Sequence, residues 1–139
     1  MIFGECNCGE VAFSIDCDVS DVFVCHCSIC RKATGSNGIA VIVVGNEAFE
    51  WQRGLEHIAT WRKPVGDWQT SFCKQCGSTL PGINSPKTMY VPAGLLTEGA
   101  EHFRVAHHVF VGSRAAWDVI GDDGEQHIEA FGGTYEIPS

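Results

Sequence analysis

Seven of the eight cysteines fall into three closely spaced groups, and such spacing is typical of metal binding. The groups are Cys6-Asn-Cys8, Cys25-His-Cys27-Ser-Ile-Cys30 and Cys73-Lys-Gln-Cys76. Seven thiols complete one four-thiolate zinc site and leave three thiols for a second. A zinc ion with four protein ligands is closed and structural, whereas one with three keeps a position for water or substrate. The sequence therefore predicts two zinc ions, one structural and one a candidate catalytic ion.

The pairing of the groups depends on which sulfurs can reach one metal. Cys73-Lys-Gln-Cys76-Gly77 is a zinc knuckle that needs two further thiolates. Cys6 and Cys8 could supply them, as could two members of the central group. The first choice is economical, because it leaves the central group together on one short loop. We therefore expect a structural site of Cys6, Cys8, Cys73 and Cys76, and an open, catalytic site of Cys25, Cys27 and Cys30.

A histidine in the fourth position would close the second site, and that alternative stays open. His26 lies between two cysteines in extended chain, so its side chain is expected to point to the opposite face. The remote histidines accompany no His-x-Glu or His-Glu-x-x-His pattern; they are His57, His102, His107, His108 and His127. The eighth cysteine, Cys17, lies between two aspartates that raise its thiol pKa, and it is expected to take no part.

Cations and hydroxyls directly follow the central cysteine group. Arg31 and Lys32 place two positive charges there in a chain whose formal net charge is −8. This combination favours an anionic ligand beside the second metal, although a solvated pair of surface cations would give the same pattern. We predict that the substrate is bound by Arg31, Thr34 and Ser36.

Length and composition suit one domain over residues 1–139, of which 45% are hydrophobic. The acidic charge and the lack of a basic stripe disfavour nucleic-acid binding. The longest apolar run, residues 39–44, is too short to cross a bilayer, and the first five residues do not resemble a leader. We therefore expect a cytoplasmic protein without a membrane partner, in which reduced thiols favour metal over disulfides.

Short segments rich in Val, Ile, Phe and Trp, separated by Gly or Asp, predict an all-β class. We expect strands over residues 11–15, 22–25, 38–44, 49–53, 57–62, 69–73, 89–93 and 107–111. Two helical turns are also expected. Ser28 could cap one over residues 29–33, and the other would cover residues 95–100.

Three longer motifs around the cysteines resemble the glutathione-dependent formaldehyde-activating enzyme family, also called the CENP-V/GFA domain. They cover residues 4–13, 25–36 and 72–80, and residues 108–117 resemble the family's C-terminal segment. Arg114 and Ala116 depart from the family's usual Lys and Pro in that segment. The resemblance thus covers nearly the whole chain, and the departures do not touch a cysteine.

The resemblance implies an Mss4-like, mainly β fold with two zinc sites in the pairing given above. It also implies a carbon–sulfur lyase that forms or cleaves S-hydroxymethylglutathione, with glutathione as the small-molecule thiol partner. Zinc at an open three-thiolate site would activate the substrate thiol. The alternative is a zinc-stabilised binding module without catalysis, which predicts a closed second zinc and an exposed apolar patch. The sequence does not specify the true substrate, the oligomeric state or protein partners.

Overall fold

The computed structural model describes residues 1–131 as a mainly β structure with one α-helix, α1, at Ser28–Thr34. The strands are β1 Ile2–Glu5, β2 Ala12–Ile15, β3 Asp21–Cys25, β4 Ile39–Gly45, β5 Phe49–Arg53, β6 Ile58–Arg62, β7 Gln69–Cys73, β8 Thr79–Leu80, β9 Gly82–Ile83, β10 Thr88–Pro92, β11 Leu96–Glu98, β12 Arg104–Val109 and β13 Glu125–Gln126. Single 3-10 turns occur at Asn46–Ala48, Leu55–His57, Ala93–Leu95 and Val111–Ser113.

The described strands form three sheets. A four-stranded sheet has the order β11-β1-β2-β5, a six-stranded sheet the order β13-β12-β3-β4-β10-β9, and a three-stranded sheet the order β6-β7-β8. Most pairings are antiparallel, but β12 pairs in parallel with both β3 and β13. The parallel pairings bring a late segment of the chain beside the strand that leads into the central cysteine group.

The main core fills the space between the four-stranded and six-stranded sheets. Alternation along each strand directs one set of apolar side chains into it; this set is Ile2, Phe13, Ile15, Val22, Ile42, Val44 and Val91. The opposite face of the six-stranded sheet carries a second cluster around the central cysteines, which includes Val41, Tyr90 and Val109. The six-stranded sheet is therefore buried on both faces. One face packs against apolar side chains, and the other carries the central cysteines.

The predicted all-β class is confirmed, and all eight predicted strands are present with ends that differ by at most three residues. The helical turn expected over residues 95–100 is wrong, because residues 96–98 form β11 and pair with β1. Sequence reasoning missed β1, β8, β9, β11 and β13. The domain predicted over residues 1–139 extends beyond the described residues, and its extent stays a prediction.

All eight cysteines lie in the described part of the chain, and none forms a disulfide. The α-helix has only seven residues. Residues 1–131 contain no helix that is long and apolar enough to cross a membrane.

Gly54 follows β5 and packs against the backbone of Glu10 and Val11, just after the first two cysteines, and it provides a stability test. Its backbone is left-handed, with φ +85°, and a Cβ there would clash with the Glu10 carbonyl oxygen. Gly35 is also left-handed, with φ +66°, but has open space around it. We expect Gly35→Ala to cost about 1–2 kcal/mol of unfolding free energy and Gly54→Ala at least twice as much. Urea denaturation measures both, and equal losses would contradict the close approach.

Candidate metal centre

The first cysteine group joins two distant segments of the chain. Cys6 and Cys8 follow β1, Cys73 ends β7, and Cys76 lies in the turn after it. All four sulfurs lie within 4.8 Å of one another. The Sγ atoms of Cys6 and Cys8 are 3.6 Å apart, and those of Cys8 and Cys73 are 3.8 Å apart. Four thiolates at 2.3 Å around a tetrahedral zinc ion would be about 3.8 Å apart, so the donor set fits zinc.

Two glycine turns shape the first group. Gly9 and Gly77 have φ near +80° and donate their amides to the carbonyls of Cys6 and Cys73, respectively. The turns bend the chain back after each pair, so that both pairs present sulfur to the same point. The Ser78 hydroxyl lies 3.3 Å from the Cys76 sulfur, and this hydrogen bond lowers the pKa of the Cys76 thiol to about 5. The thiolate form that a metal requires is thus favoured.

The second cysteine group is local and fully enclosed. Cys25 ends β3, Cys27 precedes α1, and Cys30 lies in the first turn of α1. Their relative exposures are 0%, 7% and 2%. The Cys27 sulfur caps the helix, accepting a hydrogen bond from the Cys30 amide at 3.3 Å. The cap is therefore Cys27 and not Ser28, which the sequence favoured.

The three thiols of the second group share their protons unequally. Hydrogen bonds from the Cys25 and Cys30 side chains lower the pKa of the Cys27 thiol to about 3. The reverse effect of the Cys27 side chain raises the pKa of Cys25 to about 12, and hydrogen bonding to Cys25 and Cys27 raises the pKa of Cys30. These hydrogen bonds favour the thiolate form at Cys27 and the protonated form at Cys25 and Cys30. A divalent cation bound to all three sulfurs would displace both protons.

No histidine or carboxylate joins the second group within residues 1–131. The predicted orientation of His26 is observed, since its ring lies on the opposite face of β3. There its Nε2 is 2.8 Å from His108 Nδ1, and His108 Nε2 is 2.8 Å from Asp122 Oδ1. The three-sulfur set therefore fits a metal with a position open to a further ligand. The eighth cysteine, Cys17, belongs to neither group.

The histidine network lines a cavity of about 360 Å³ that sequence reasoning missed. His26 and Asp118 are 1% and 8% exposed, and His26 Nδ1 lies 3.5 Å from Asp118 Oδ2. Burial and then the neighbouring His108 lower the pKa of His26, which favours the neutral ring. The hydrogen bond from His108 lowers the pKa of Asp122, so that carboxylate accepts from His108. No sequence pattern signals this network, because β12 and the loop after it supply all but His26.

The residues predicted to bind substrate occupy different environments. Arg31 is half-buried, and its Nε has no hydrogen-bond partner within residues 1–131. The Thr34 hydroxyl lies within hydrogen-bond distance of the carbonyl oxygens of Cys30 and Gly38, either of which can accept its proton. Ser36 lines the cavity that contains His26. Thr34 thus stabilises the C-terminal end of α1. The roles of Arg31, Thr34 and Ser36 in substrate binding stay predictions.

A cleft beside the second cysteine group lies between α1 and the β6–β7 hairpin. A pocket of about 10 Å³, roughly the space of one water molecule, is lined by Cys30 and by Trp68. It shares Trp68 with a wider cleft of about 230 Å³ that also contains Lys32, Lys63 and Trp61. The two indoles meet edge to face at 6.4 Å. A cationic and aromatic cleft therefore adjoins the three-sulfur group in an otherwise acidic protein. Sequence reasoning missed Lys63 because it lies far in sequence from the central cysteine group.

Comparison with known proteins agrees with these features. The family model for the glutathione-dependent formaldehyde-activating enzyme matches residues 1–113. A Halomonas elongata protein whose name carries the same family description is 34% identical over 86 residues, or 58% of this chain. That alignment spans about half, 54%, of the relative's own length.

A crystal structure of a Rhodobacter sphaeroides protein shares the fold. The two structures have a TM-score of 0.56 and 19% sequence identity, and the match covers 71% of this chain and 91% of the other. The family model extends over most of the chain, including all three cysteine groups. The chain therefore belongs to the glutathione-dependent formaldehyde-activating enzyme family.

Proposed function

We propose that the protein is a zinc-dependent carbon–sulfur lyase that forms or cleaves a thiol–aldehyde adduct such as S-hydroxymethylglutathione. The observation that carries this proposal is the buried group of three sulfurs without a fourth protein donor among the described residues. Zinc bound there would supply a position at which a substrate thiol loses its proton, so that the thiolate can add to an aldehyde carbon or leave from the adduct. The first cysteine group would hold a second, structural zinc ion.

The surroundings of the second group support a thiol substrate. The small pocket at Cys30 has room for a group about the size of a water molecule, and its walls include Ile39, Val41 and Tyr90. These mainly apolar walls limit water beside the reacting sulfur, which strengthens electrostatic effects there. A closed second metal, as expected of a binding module without catalysis, would need a fourth protein donor.

The wider cleft supports a peptide thiol with carboxylates, such as glutathione. Lys32 and Lys63 can each attract a carboxylate, while Trp61 and Trp68 can pack against the aliphatic part of the substrate. Arg31 is a further candidate for a carboxylate, because its Nε is buried without a hydrogen-bond partner in the described structure. We also propose a cytoplasmic location, since a reducing compartment keeps the thiol ligands and glutathione reduced.

Glutathione titration tests the proposal most directly. Zinc-loaded protein should bind glutathione with a change from three to four sulfur ligands at one zinc ion, measured by X-ray absorption. Adding formaldehyde should produce S-hydroxymethylglutathione faster than the uncatalysed reaction, followed by NMR. Failure of any thiol to reach the metal would overturn the proposed mechanism.

The two cysteine groups should respond differently to the same substitution. Cys27→Ser should abolish turnover but cost at most about 1–2 kcal/mol of stability, because serine is a good helix N-cap. Cys76→Ser should cost several kcal/mol, since it would break the first metal's link between distant segments. Denaturation of the zinc-loaded proteins measures both, with Cys17→Ser as the control outside both groups. Equal destabilisation at Cys27 and Cys76 would contradict this division of roles.

Charge removal in the cleft should weaken glutathione binding. We expect Lys63→Ala to raise the Kd for glutathione by about three- to tenfold, because one carboxylate contact is lost. The matched variant Lys87→Ala removes the same charge at an exposed position away from the cleft and should leave the Kd unchanged. Binding of 2-mercaptoethanol, which has no carboxylate, should not respond to Lys63→Ala. An equal effect on both thiols would show that Lys63 acts through the metal site or the fold.

A further inference from the structure

A second type of donor cluster, separate from the cysteine groups, lies on β12, on β13 and at the residue that follows β13. It consists of His107, Glu125 and His127, whose ligand atoms all lie within 4.8 Å of one another. His107 Nδ1 is 3.1 Å from His127 Nε2, and that nitrogen is 3.6 Å from Glu125 Oε1. Two imidazoles and one carboxylate form a donor set that proteins use for divalent transition metals.

Strand register brings the three side chains together. In the parallel pairing of β12 and β13, His107 lies opposite Glu125. His127 is two residues beyond Glu125 and therefore on the same face of its strand. Backbone hydrogen bonds hold it in place, because its amide donates to the His108 carbonyl at 2.8 Å and its carbonyl accepts from Val111. The backbone alone thus directs all three donors to one side of the sheet.

Two of the three donor separations match those expected around a common metal ion. With metal–ligand bonds of about 2.05 Å, the 3.1 Å separation corresponds to a ligand–metal–ligand angle of about 100°, and the 3.6 Å separation to about 120°. These angles are close to tetrahedral values. The remaining positions of the ion would be open to water, because the described residues add no fourth donor to this group.

Aromatic packing holds the rings ready for a ligand. The His107 ring stacks on Phe23 with a centroid distance of 5.0 Å and lies 4.3 Å from the Phe131 ring. Phe131 also packs edge to face with the His127 ring at 5.2 Å. Less rotational freedom then has to be lost when a metal binds. Glu125 remains 69% exposed, which leaves an entry route from solvent.

A single hydrogen bond between the two histidines leaves the Glu125 carboxylate without a hydrogen bond to the cluster. Only one proton can lie between the two nitrogens, and Glu125 at 3.6 Å is beyond normal hydrogen-bond distance. Two imidazole nitrogens and one carboxylate oxygen therefore lie close together in a protein of formal charge −8, which attracts cations. We propose that His107, Glu125 and His127 form a third metal site, for a divalent first-row transition ion such as Zn²⁺ or Co²⁺.

Cobalt titration of the full chain loaded with only two equivalents of zinc, one for each cysteine group, tests this site without reference to turnover. We expect one further equivalent of Co²⁺ to bind with weak visible d–d absorption and without the intense charge-transfer band of thiolate ligation. His127→Ala should abolish this binding, and Glu125→Gln should weaken it by at least about tenfold. Glu125 is exposed, so its variant keeps the fold if the His127 variant loses stability.

Matched variants outside the cluster provide the controls. His102→Ala and Glu98→Gln remove the same groups at exposed positions and should leave the extra equivalent in place. In long-range ¹H–¹⁵N spectra, Zn²⁺ should shift Nδ1 of His107 and Nε2 of His127. Absence of an extra equivalent, its survival in His127→Ala, or a thiolate charge-transfer band for the added Co²⁺ would each overturn the proposal.

Discussion

Alternation of side chains along β3 and β12 is the constraint on which the functional part of the molecule depends. Register places Cys25 beside Val109 and Phe23 beside His107 on one face of the six-stranded sheet, and Val24 beside His108 on the other. A shift of one residue would exchange these faces. His26 is a sequence neighbour of Cys25 and Cys27, yet its ring pairs with His108 on the face opposite the thiols. This separation keeps His26 from closing the three-sulfur group.

The structural role proposed for the first cysteine group follows from the small apolar core around it. Among residues 1–131, its cluster contains two fully buried side chains besides cysteine, Val11 and Leu80, and partly buried Trp51, Ile58 and Leu95 pack around them. The three-stranded sheet and the N-terminal segment meet there, so metal–sulfur bonds would supply cohesion that hydrophobic burial does not. The two groups thus differ because one joins segments that lie far apart in sequence, while the other lies within a single strand–helix unit.

The sequence was most informative where the relevant interactions are local. Cysteine spacing predicted both groups that the structure brings together, and short segments rich in Val, Ile, Phe and Trp predicted eight of the strands. The segment at residues 95–100 was misassigned because its pairing with β1 is a long-range interaction that local propensity does not encode. The same limitation hid the cleft, since Lys63 meets Lys32 only after the β6–β7 hairpin packs beside α1.

The face that carries the three-sulfur group also carries the His107 cluster, and the two differ in ligand chemistry. Phe23 and Phe131 pack against both, so apolar rings lie between the sulfur donors and the nitrogen and oxygen donors. Thiolates favour soft or borderline ions, whereas two imidazoles with a carboxylate also accept harder ions and retain water. An ion at the exposed cluster would therefore remain exchangeable, while an ion among the buried sulfurs would be held until a competing thiol enters. The sheet thus carries two groups of potential metal ligands side by side that differ in solvent access and in donor softness.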